Sequence, residues 1–264
     1  MQAHAEALIK KNLQKSDAEV VFASLFGSYR RGDYDAFSDI DVFVVCMEED
    51  EKPLISHRLK RLETTLNRSI HVNVFNLKEF ESRLRFHDYL TASIIEDSSF
   101  ILGRKDIFAE AKRSILEGRP DEDSVRFNRD MGLKTLEHAY SCFSEIDPSG
   151  PYDSRNSLDY IVRGLNNYRL GLGYIYASAE MQFSRMAVSP IRLLRTDLGS
   201  TLKDIARIEK IVKRGLKIDH VALSRIIDEI RSSHFRILTL NQVSPMELSS
   251  LLKFSAAASL SGRP

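Results

Sequence analysis

The sequence predicts an α+β protein with two domains, residues 1–118 and 119–264. Two patterns predict this fold. Up to residue 116, short runs of β-branched and aromatic residues alternate with stretches of helical periodicity, whereas beyond residue 124 apolar residues recur almost only at helical spacing. Between these halves, residues 118–121 (Gly-Arg-Pro-Asp) combine a helix stop, a proline and an acidic residue, which is typical of a linker.

Each element follows from its own apolar pattern. Strands are predicted where apolar residues run together or alternate, as Ile70, Val72 and Val74 do. The predicted strands cover residues 19–26, 39–47, 69–75 and 99–102. The predicted helices of the first half cover residues 3–15, 52–66, 78–85, 88–96 and 106–116. The second half is predicted to be a helical bundle over residues 124–146, 154–182, 200–214, 220–240 and 245–258.

The charge balance excludes some partners. With 38 Lys and Arg against 37 Asp and Glu, the formal net charge is only +1, so no global field favours a long nucleic acid or an acidic membrane. The longest apolar run, residues 42–47, is far shorter than the roughly 20 residues of a membrane helix, and residues 1–17 are charged where a signal peptide would be apolar. We therefore expect a cytoplasmic protein, with Cys46 and Cys142 as reduced packing residues.

One segment, residues 25–32 (Leu-Phe-Gly-Ser-Tyr-Arg-Arg-Gly), has the composition of a phosphate-binding turn. A strand that ends in Gly-Ser and turns into a short helix exposes backbone N–H groups, and the glycine lets a phosphate approach closely. The predicted nucleotide-binding residues here and just beyond are Gly27, Ser28, Arg30, Arg31 and Ser38. The alternative for the two arginines is a solvated helix surface, and the alternative for the second serine is a simple turn.

A second segment, Asp39-Ile40-Asp41, lies on the next predicted strand. Because side chains alternate along a strand, both carboxylates should project from one face while Ile40 and Val42 enter the core. Two adjacent carboxylates repel each other unless a cation lies between them, and hard oxygen ligands beside a phosphate site suit Mg²⁺. The pair therefore indicates metal-assisted phosphoryl or nucleotidyl transfer.

Together, Gly27-Ser28 and the later Asp39-Ile40-Asp41 resemble the signature of the DNA polymerase β-type nucleotidyltransferase superfamily, especially its minimal and antibiotic-modifying branch. The resemblance covers roughly residues 18–116, and the helical half is similar in class alone. It implies a palm-like mixed sheet with flanking helices, followed by an all-α bundle. It also implies transfer of a nucleoside monophosphate from an NTP, taken to be ATP, to an acceptor hydroxyl, with release of pyrophosphate.

The resemblance assigns roles to individual residues. Gly27 and Ser28 would hold triphosphate oxygens, and Asp39 and Asp41 would bind Mg²⁺ in a site of three carboxylates and two ions. The third carboxylate has no counterpart, because its place is taken by Asn73, which brings no negative charge and cannot accept a proton as a carboxylate does. The predicted catalytic residues are Asp39, Asp41 and Asn73. His71 is an alternative base, and a plain strand residue is the alternative for Asn73.

Three functions follow from these residues. The first is an active Mg²⁺-dependent nucleotidyltransferase whose helical bundle closes over a small-molecule or protein acceptor. The second is a regulatory module that binds nucleotide without turnover, because Asn73 replaces the third acid. The third is a two-domain interaction protein in which Asp39 and Asp41 are ordinary surface residues. The expected partners are an NTP and the acceptor, with no membrane and no long nucleic acid, and a homodimer is one assembly open to the chain.

Overall fold

The computed structural model describes residues 2–35, 38–146, 155–184, 197–213 and 227–228. The chain divides into two compact units, Met1–Gly118 and Arg119–Pro264. The first unit is a mixed sheet with helices, and the described elements of the second are helices, so the predicted α+β class is confirmed. Among the described residues, no helix has the length and apolar character needed to cross a membrane.

The first unit contains four strands and seven helices among its described residues. The strands are β1 (Val20–Phe26), β2 (Ile40–Cys46), β3 (Ile70–Asn76) and β4 (Ser99–Gly103). The helices are α1 (Gln2–Gln14), α2 (Gly27–Arg31), α3 (Glu51–Lys60), α4 (Leu62–Leu66), α5 (Leu77–Arg85), α6 (Tyr89–Glu96) and α7 (Lys105–Glu117).

The four strands form one sheet in the order β3-β2-β1-β4. β1 is antiparallel to both β2 and β4, whereas β3 is parallel to β2, and the crossover between these two parallel strands is made by α3 and α4. At one end of the sheet, Phe26 pairs with Asp41 and Asp41 pairs with His71. This row across three strands places the end of β1 beside the start of β2 and β3.

An aliphatic core covers one face of the sheet. α1, α3 and α4 contribute residues such as Ile9, Ile55 and Leu59 to it, and β2 contributes Ile40 and Val42, all fully buried. Each buried leucine or isoleucine side chain stabilises the fold by about 1.5–3 kcal/mol relative to an exposed one. Phe43 and Val45 are buried as well, in the core on the opposite face, so β2 is covered on both faces and Asp41 is its one residue that is not fully buried.

An aromatic core covers the opposite face of the sheet. Phe22 of β1, Phe43 of β2 and Phe80 of α5 meet there with ring centroids 5.3–5.9 Å apart, in tilted and edge-on arrangements that aromatic quadrupoles favour. α6 and α7 complete this core with Ile95 and Phe108. Since Asp41 and Phe43 are two residues apart on β2, Asp41 is on the same side of the sheet as the aromatic core, at its edge.

The described part of the second unit contains three helices, which we number α8 (Glu122–Ser144), α9 (Arg155–Ser184) and α10 (Asp197–Lys213). α9 packs against both α8 and α10. Its buried side includes Ile161, Leu165 and Leu172, three residues whose spacing places them on one helix face. This is the amphipathic pattern of a helical bundle.

Most predicted elements agree with the structure to within one to three residues at each end. The predicted helix over residues 52–66 is two helices, because Arg61 interrupts it. α4 is fixed to β3 by Glu63, whose Oε1 accepts a hydrogen bond of 2.7 Å from the Ile70 N–H. The predicted helix over residues 245–258 lies outside the described residues, and of that over 220–240 only residues 227–228 are described, as helix.

The two cysteines are free and buried, as predicted for packing residues. Burial raises the pKa of the Cys46 thiol to about 11, and burial also raises the pKa of Cys142. Both thiols therefore remain protonated at neutral pH, and neither has the thiolate character of a nucleophile.

Candidate active site

The site centres on Gly27, which follows the last residue of β1 and begins α2. Its φ of +72° is a conformation that glycine adopts without strain. A Cβ atom at this position would lie 2.2 Å from Oδ2 of Asp41. The carboxylate of Asp41 therefore packs directly on the main chain of Gly27, and any larger residue would displace it.

Asp39 lies one residue before β2, so the predicted strand over residues 39–47 starts one residue too early. Ladder pairing begins at Ile40, whose N–H donates to the Ser69 carbonyl at 2.9 Å. Asp39 is half-buried, two residues from Asp41. The two acids thus occupy the entry and the second residue of one strand, at the sheet edge that also carries Gly27.

Ser38 is engaged within the loop that leads to Asp39. Its hydroxyl donates to Asp35 Oδ1 at 3.1 Å and accepts from the Asp35 N–H at 3.0 Å, while Arg68 donates to the Asp35 carbonyl at 2.8 Å. These bonds shape the backbone entering β2. The described contacts of Ser38 are those of the turn residue given above as its alternative, and its predicted nucleotide contact stays a prediction.

The sequence predicts that the Gly27 N–H is an exposed donor, but in the structure this N–H is hydrogen-bonded within the protein. It donates to Oδ2 of Asp97 at 3.0 Å, and the same oxygen accepts a 2.5 Å hydrogen bond from Nη1 of Arg31. Nη1 of Arg30 lies 3.6 Å from the other carboxylate oxygen. Both predicted phosphate-binding arginines are therefore gathered at Asp97, at the end of α6, a residue to which the sequence analysis assigned no role.

The short helix α2 is held in place by a buried tyrosine. Tyr29 is 1% exposed and stacks on Tyr34 with ring centroids 4.2 Å apart, which fixes the helix against the aliphatic core. Ser28 is half-buried at the start of this helix, and its carbonyl accepts from the Gly32 and Asp33 N–H groups. The Ser28 hydroxyl is thus carried on a rigid support beside Gly27.

His71, rather than Asn73, is the lateral neighbour of Asp41. The parallel register pairs Asp41 with His71 and Phe43 with Asn73. His71 Nδ1 lies 3.3 Å from Asp41 Oδ1, whereas Asn73 is two residues, or about 7 Å, further along β3. The structure therefore brings the alternative base, His71, against the aspartate, and not Asn73, the residue predicted at the place of the third acid.

The donor set fits a metal ion that arrives with a nucleotide better than a resident ion. Among the described residues, no group of three or more His, Cys, Asp and Glu is arranged to hold a metal. Asp39 and Asp41 would supply two hard oxygen ligands. Mg²⁺ is commonly bound in this way, by one or two carboxylates together with substrate phosphates, so these residues suit Mg²⁺ in a ternary complex.

The first part of the chain matches a known family of domains. Residues 6–120 match the family described as "Nucleotidyltransferase domain". They form a nucleotidyltransferase domain. This confirms the resemblance drawn from Gly27-Ser28 and Asp39-Ile40-Asp41, and the helical C-terminal unit follows the domain. This match supports a transferase that uses an NTP and a divalent metal in general.

A chain in the crystal structure of a toxin–antitoxin with AMP-PNP is similar to part of this chain. It is 20% identical, the match covers 42% of this chain and 83% of that chain, and the TM-score is 0.31. No curated protein matches the chain.

Proposed function

We propose that the protein transfers a nucleoside monophosphate from an NTP to an acceptor hydroxyl and releases pyrophosphate, with Mg²⁺ as the metal. The observation that carries this proposal is the packing of the Asp41 carboxylate on Gly27. It joins the acidic pair and the Gly-Ser turn into one site within a nucleotidyltransferase domain. ATP is the first donor to test, and a small molecule or protein side chain is the acceptor class.

The triphosphate side of the site consists of Ser28, Arg30 and Arg31. The Ser28 hydroxyl is a neutral donor, and the two guanidinium groups are charged donors whose planar geometry matches phosphate oxygens. Their side chains are 38% and 45% exposed, so an incoming polyanion can reach them. The Gly27 N–H has no part in this binding, because Asp97 accepts from it.

The acidic side of the site consists of Asp39 and Asp41, which would hold the divalent cation. When bound, that cation supplies charge neutralisation on the triphosphate and polarises the phosphorus that is attacked. His71 orients the Asp41 carboxylate through its 3.3 Å contact, as residues behind metal ligands commonly do. Asn73 lies further along β3 and supports the strand.

The reaction balances without a further reagent. The acceptor oxygen forms a bond to the α-phosphorus, and the bond from that phosphorus to the bridging oxygen of the β-phosphate breaks. The bonding electron pair leaves with pyrophosphate, and the hydroxyl proton passes to solvent. The residues of this chain position the triphosphate and the cation, which is the main protein contribution to phosphoryl transfer.

Pyrophosphate release tests this function. The wild-type protein is incubated with each labelled NTP, Mg²⁺ or Mn²⁺, and a panel of acceptor hydroxyls. Asp39→Asn and Asp41→Asn should each lower release by about a thousandfold, because each removes a metal-binding charge worth several kcal/mol. Asp106→Asn is the control, since Asp106 is an exposed aspartate of α7 paired with Arg104 and should leave release unchanged.

Two outcomes contradict the proposal. One is that no NTP and acceptor combination yields pyrophosphate. The other is that release occurs and is unaffected by either substitution of the acidic pair.

A second candidate function is a module that binds nucleotide without turnover. The observation that favours it is the missing third carboxylate: Asn73 takes its place in the sequence, and the residue that pairs with Asp41 is His71. Calorimetry separates the two functions. The module would bind Mg²⁺·NTP with a measurable heat and leave the nucleotide intact, whereas the transferase would consume it in the presence of acceptor.

A further inference from the structure

Asp97 contacts three residues of the short helix α2, although it is 66 residues or more from them in sequence. One oxygen accepts from the Gly27 N–H and from Arg31 Nη1, and the other faces Arg30 Nη1 at 3.6 Å. The Asp97 side chain is 19% exposed, whereas those of Arg30 and Arg31 are 38% and 45% exposed. A shielded acid therefore holds two accessible cations.

The position of Asp97 is fixed by the sheet. It lies between the end of α6 and the start of β4, and β4 pairs with β1 through Ser99 and Leu25. This pairing brings residue 97 against the turn that follows β1. The next residue, Ser98, is buried, and its hydroxyl bonds to Ser24 of β1 at 3.1 Å and to the Ile94 carbonyl at 2.6 Å. Asp97 consequently sits on a rigid base rather than on a mobile loop.

Asp97 orders Arg31, which keeps donors for another anion. Nη1 bonds to Asp97 at 2.5 Å, and Nε lies 3.4 Å from Asp33, which is 61% exposed. Among the described residues, these contacts do not use the two hydrogens on Nη2 of the guanidinium group, so a ligand can accept hydrogen bonds from them. An arginine that is already ordered loses less conformational freedom when it binds phosphate, so ordering it in advance strengthens binding.

Lys112 adds a third cation to the same place. Its ammonium donates to the Ser98 carbonyl at 2.8 Å. Burial and the nearby charge of Arg30 lower its pKa, while Asp97 and Glu96 act in the opposite direction. Asp97 thus lies near three basic side chains, and hydrogen bonds between charged groups such as Asp97 and Arg31 are stronger than those between neutral groups.

We propose that Asp97 is a positioning residue for the triphosphate: it ties the Gly27 turn to Arg31, and thereby presents that guanidinium, with Arg30, to phosphate oxygens. The proposal rests on the proposed function in taking the anion to be the triphosphate of an NTP. A competing role is that the Asp97 carboxylate occupies the place of a phosphate. The two roles predict opposite changes in anion affinity when the charge is removed.

The test is a double-mutant cycle on the full chain with inorganic tripolyphosphate as the probe, measured by calorimetry. Asp97→Asn should weaken binding on the order of tenfold, although it removes a negative charge. In an Arg31→Ala background the same substitution should not weaken binding, because there is no guanidinium left to position. A merely structural role for Asp97 would give the same loss in both backgrounds.

Asp33→Asn is the matched control, since it removes the other aspartate at Arg31 from an exposed position and should change affinity less than twofold, as expected for a surface ion pair. Tighter binding by Asp97→Asn than by wild type overturns the proposal and shows a carboxylate that competes with phosphate. Absence of tripolyphosphate binding by the wild type also overturns it. A third outcome separates the two proposals. If the wild type binds tripolyphosphate and the double-mutant cycle gives the predicted coupling, but no NTP is consumed, the role of Asp97 stands and the transferase activity is refuted.

A second variant covers the case in which Asp97→Asn does not fold. Arg31→Lys keeps the charge at an exposed position but loses the fork that can meet Asp97 and a phosphate together. Its tripolyphosphate affinity should fall nearly as far as that of Arg31→Ala. Affinity equal to that of the wild type would contradict the proposal.

Discussion

Two carboxylates contact Gly27, Asp97 at its N–H and Asp41 at its α-carbon. They differ in how many of their oxygen lone pairs are left for a ligand. Asp97 accepts from the Gly27 N–H and from Arg31, and Arg30 faces its second oxygen. Asp41 packs on the α-carbon of Gly27, and its described hydrogen-bond partner is a ring nitrogen of His71. An acid whose oxygens are engaged in the protein builds structure, while an acid with spare lone pairs at the surface is suited to bind a cation.

The contacts of these two acids explain why the turn needs glycine. Gly27 lies between the two acids, and a side chain there would meet Asp41 while its φ of +72° would be strained. Gly27 therefore contacts both Asp41 of the acidic pair and Asp97, the acid that holds the arginines. Substitutions at and around Gly27 can separate its contribution to stability from its contribution to turnover.

The largest effect is expected for Gly27→Ala. Its Cβ would lie 2.2 Å from Asp41 Oδ2, so the carboxylate must move, and we expect metal-dependent turnover to fall by about a hundredfold or more. Stability should fall by about 1–2 kcal/mol from the positive φ alone. Pyrophosphate release and urea unfolding measure the two effects.

Gly32→Ala is the control for that prediction. Gly32 has a φ of +79°, close to that of Gly27, but a Cβ there meets nothing within 4 Å. It should show the same strain, about 1–2 kcal/mol, and nearly unchanged turnover. If the two variants lose turnover equally, the packing of Asp41 on Gly27 is not what the site requires.

The acidic pair was predictable because it depends on local rules. The alternation of a strand predicts that Ile40 and Val42 enter the core and leave Asp41 on the other face, and the burial of both apolar residues confirms this. The Gly-Ser turn was also predictable, since Gly27 has the positive φ that a tight turn requires. Both segments lie within 15 residues of each other, so one hairpin brings them together.

The role of Asp97 was not predictable in the same way. Its contact with Gly27 spans 70 residues and depends on β4 pairing with β1, a choice of partner that no local pattern determines. The place of His71 depends on the register of a parallel pair. A shift of two residues would keep the same face and bring Asn73 beside Asp41, so sequence alternation cannot distinguish the two.

A smaller effect, about tenfold, is expected for His71→Ala, which removes the contact that orients Asp41. Asn73→Ala is the matched change two residues away and should lower turnover by less than about threefold. Metal titration of the turnover rate measures both. A larger loss for Asn73→Ala than for His71→Ala would show that the functional neighbour of Asp41 is Asn73.

The smallest effect concerns Glu63, which resembles Asp97 in accepting from a backbone N–H and pairing with a cation. The Ile70 N–H, with Lys60, lowers the pKa of Glu63 below its ordinary value of 4.5. A lowered folded-state pKa stabilises the fold above the unfolded-state pKa, and the contribution is lost as the pH falls through the folded-state value.

Glu63→Gln keeps the acceptor and removes the charge, so its melting temperature should be a few degrees below that of the wild type at pH 7. The gap should shrink as the pH drops below 4.5. Thermal unfolding from pH 7 to pH 3 measures it. A gap that is constant across this range would mean that the Glu63 charge does not act through these contacts.

We expect Asp39 and Asp41 to complete a metal site only together with a triphosphate. Titration of the full chain with Mn²⁺, followed by the electron paramagnetic resonance of the free ion, measures this. Mn²⁺ alone should bind weakly, binding should be at least about tenfold tighter with a non-hydrolysable NTP present, and Asp41→Asn should abolish that gain. Tight Mn²⁺ binding without nucleotide, or a nucleotide-dependent gain that survives Asp41→Asn, would contradict this expectation.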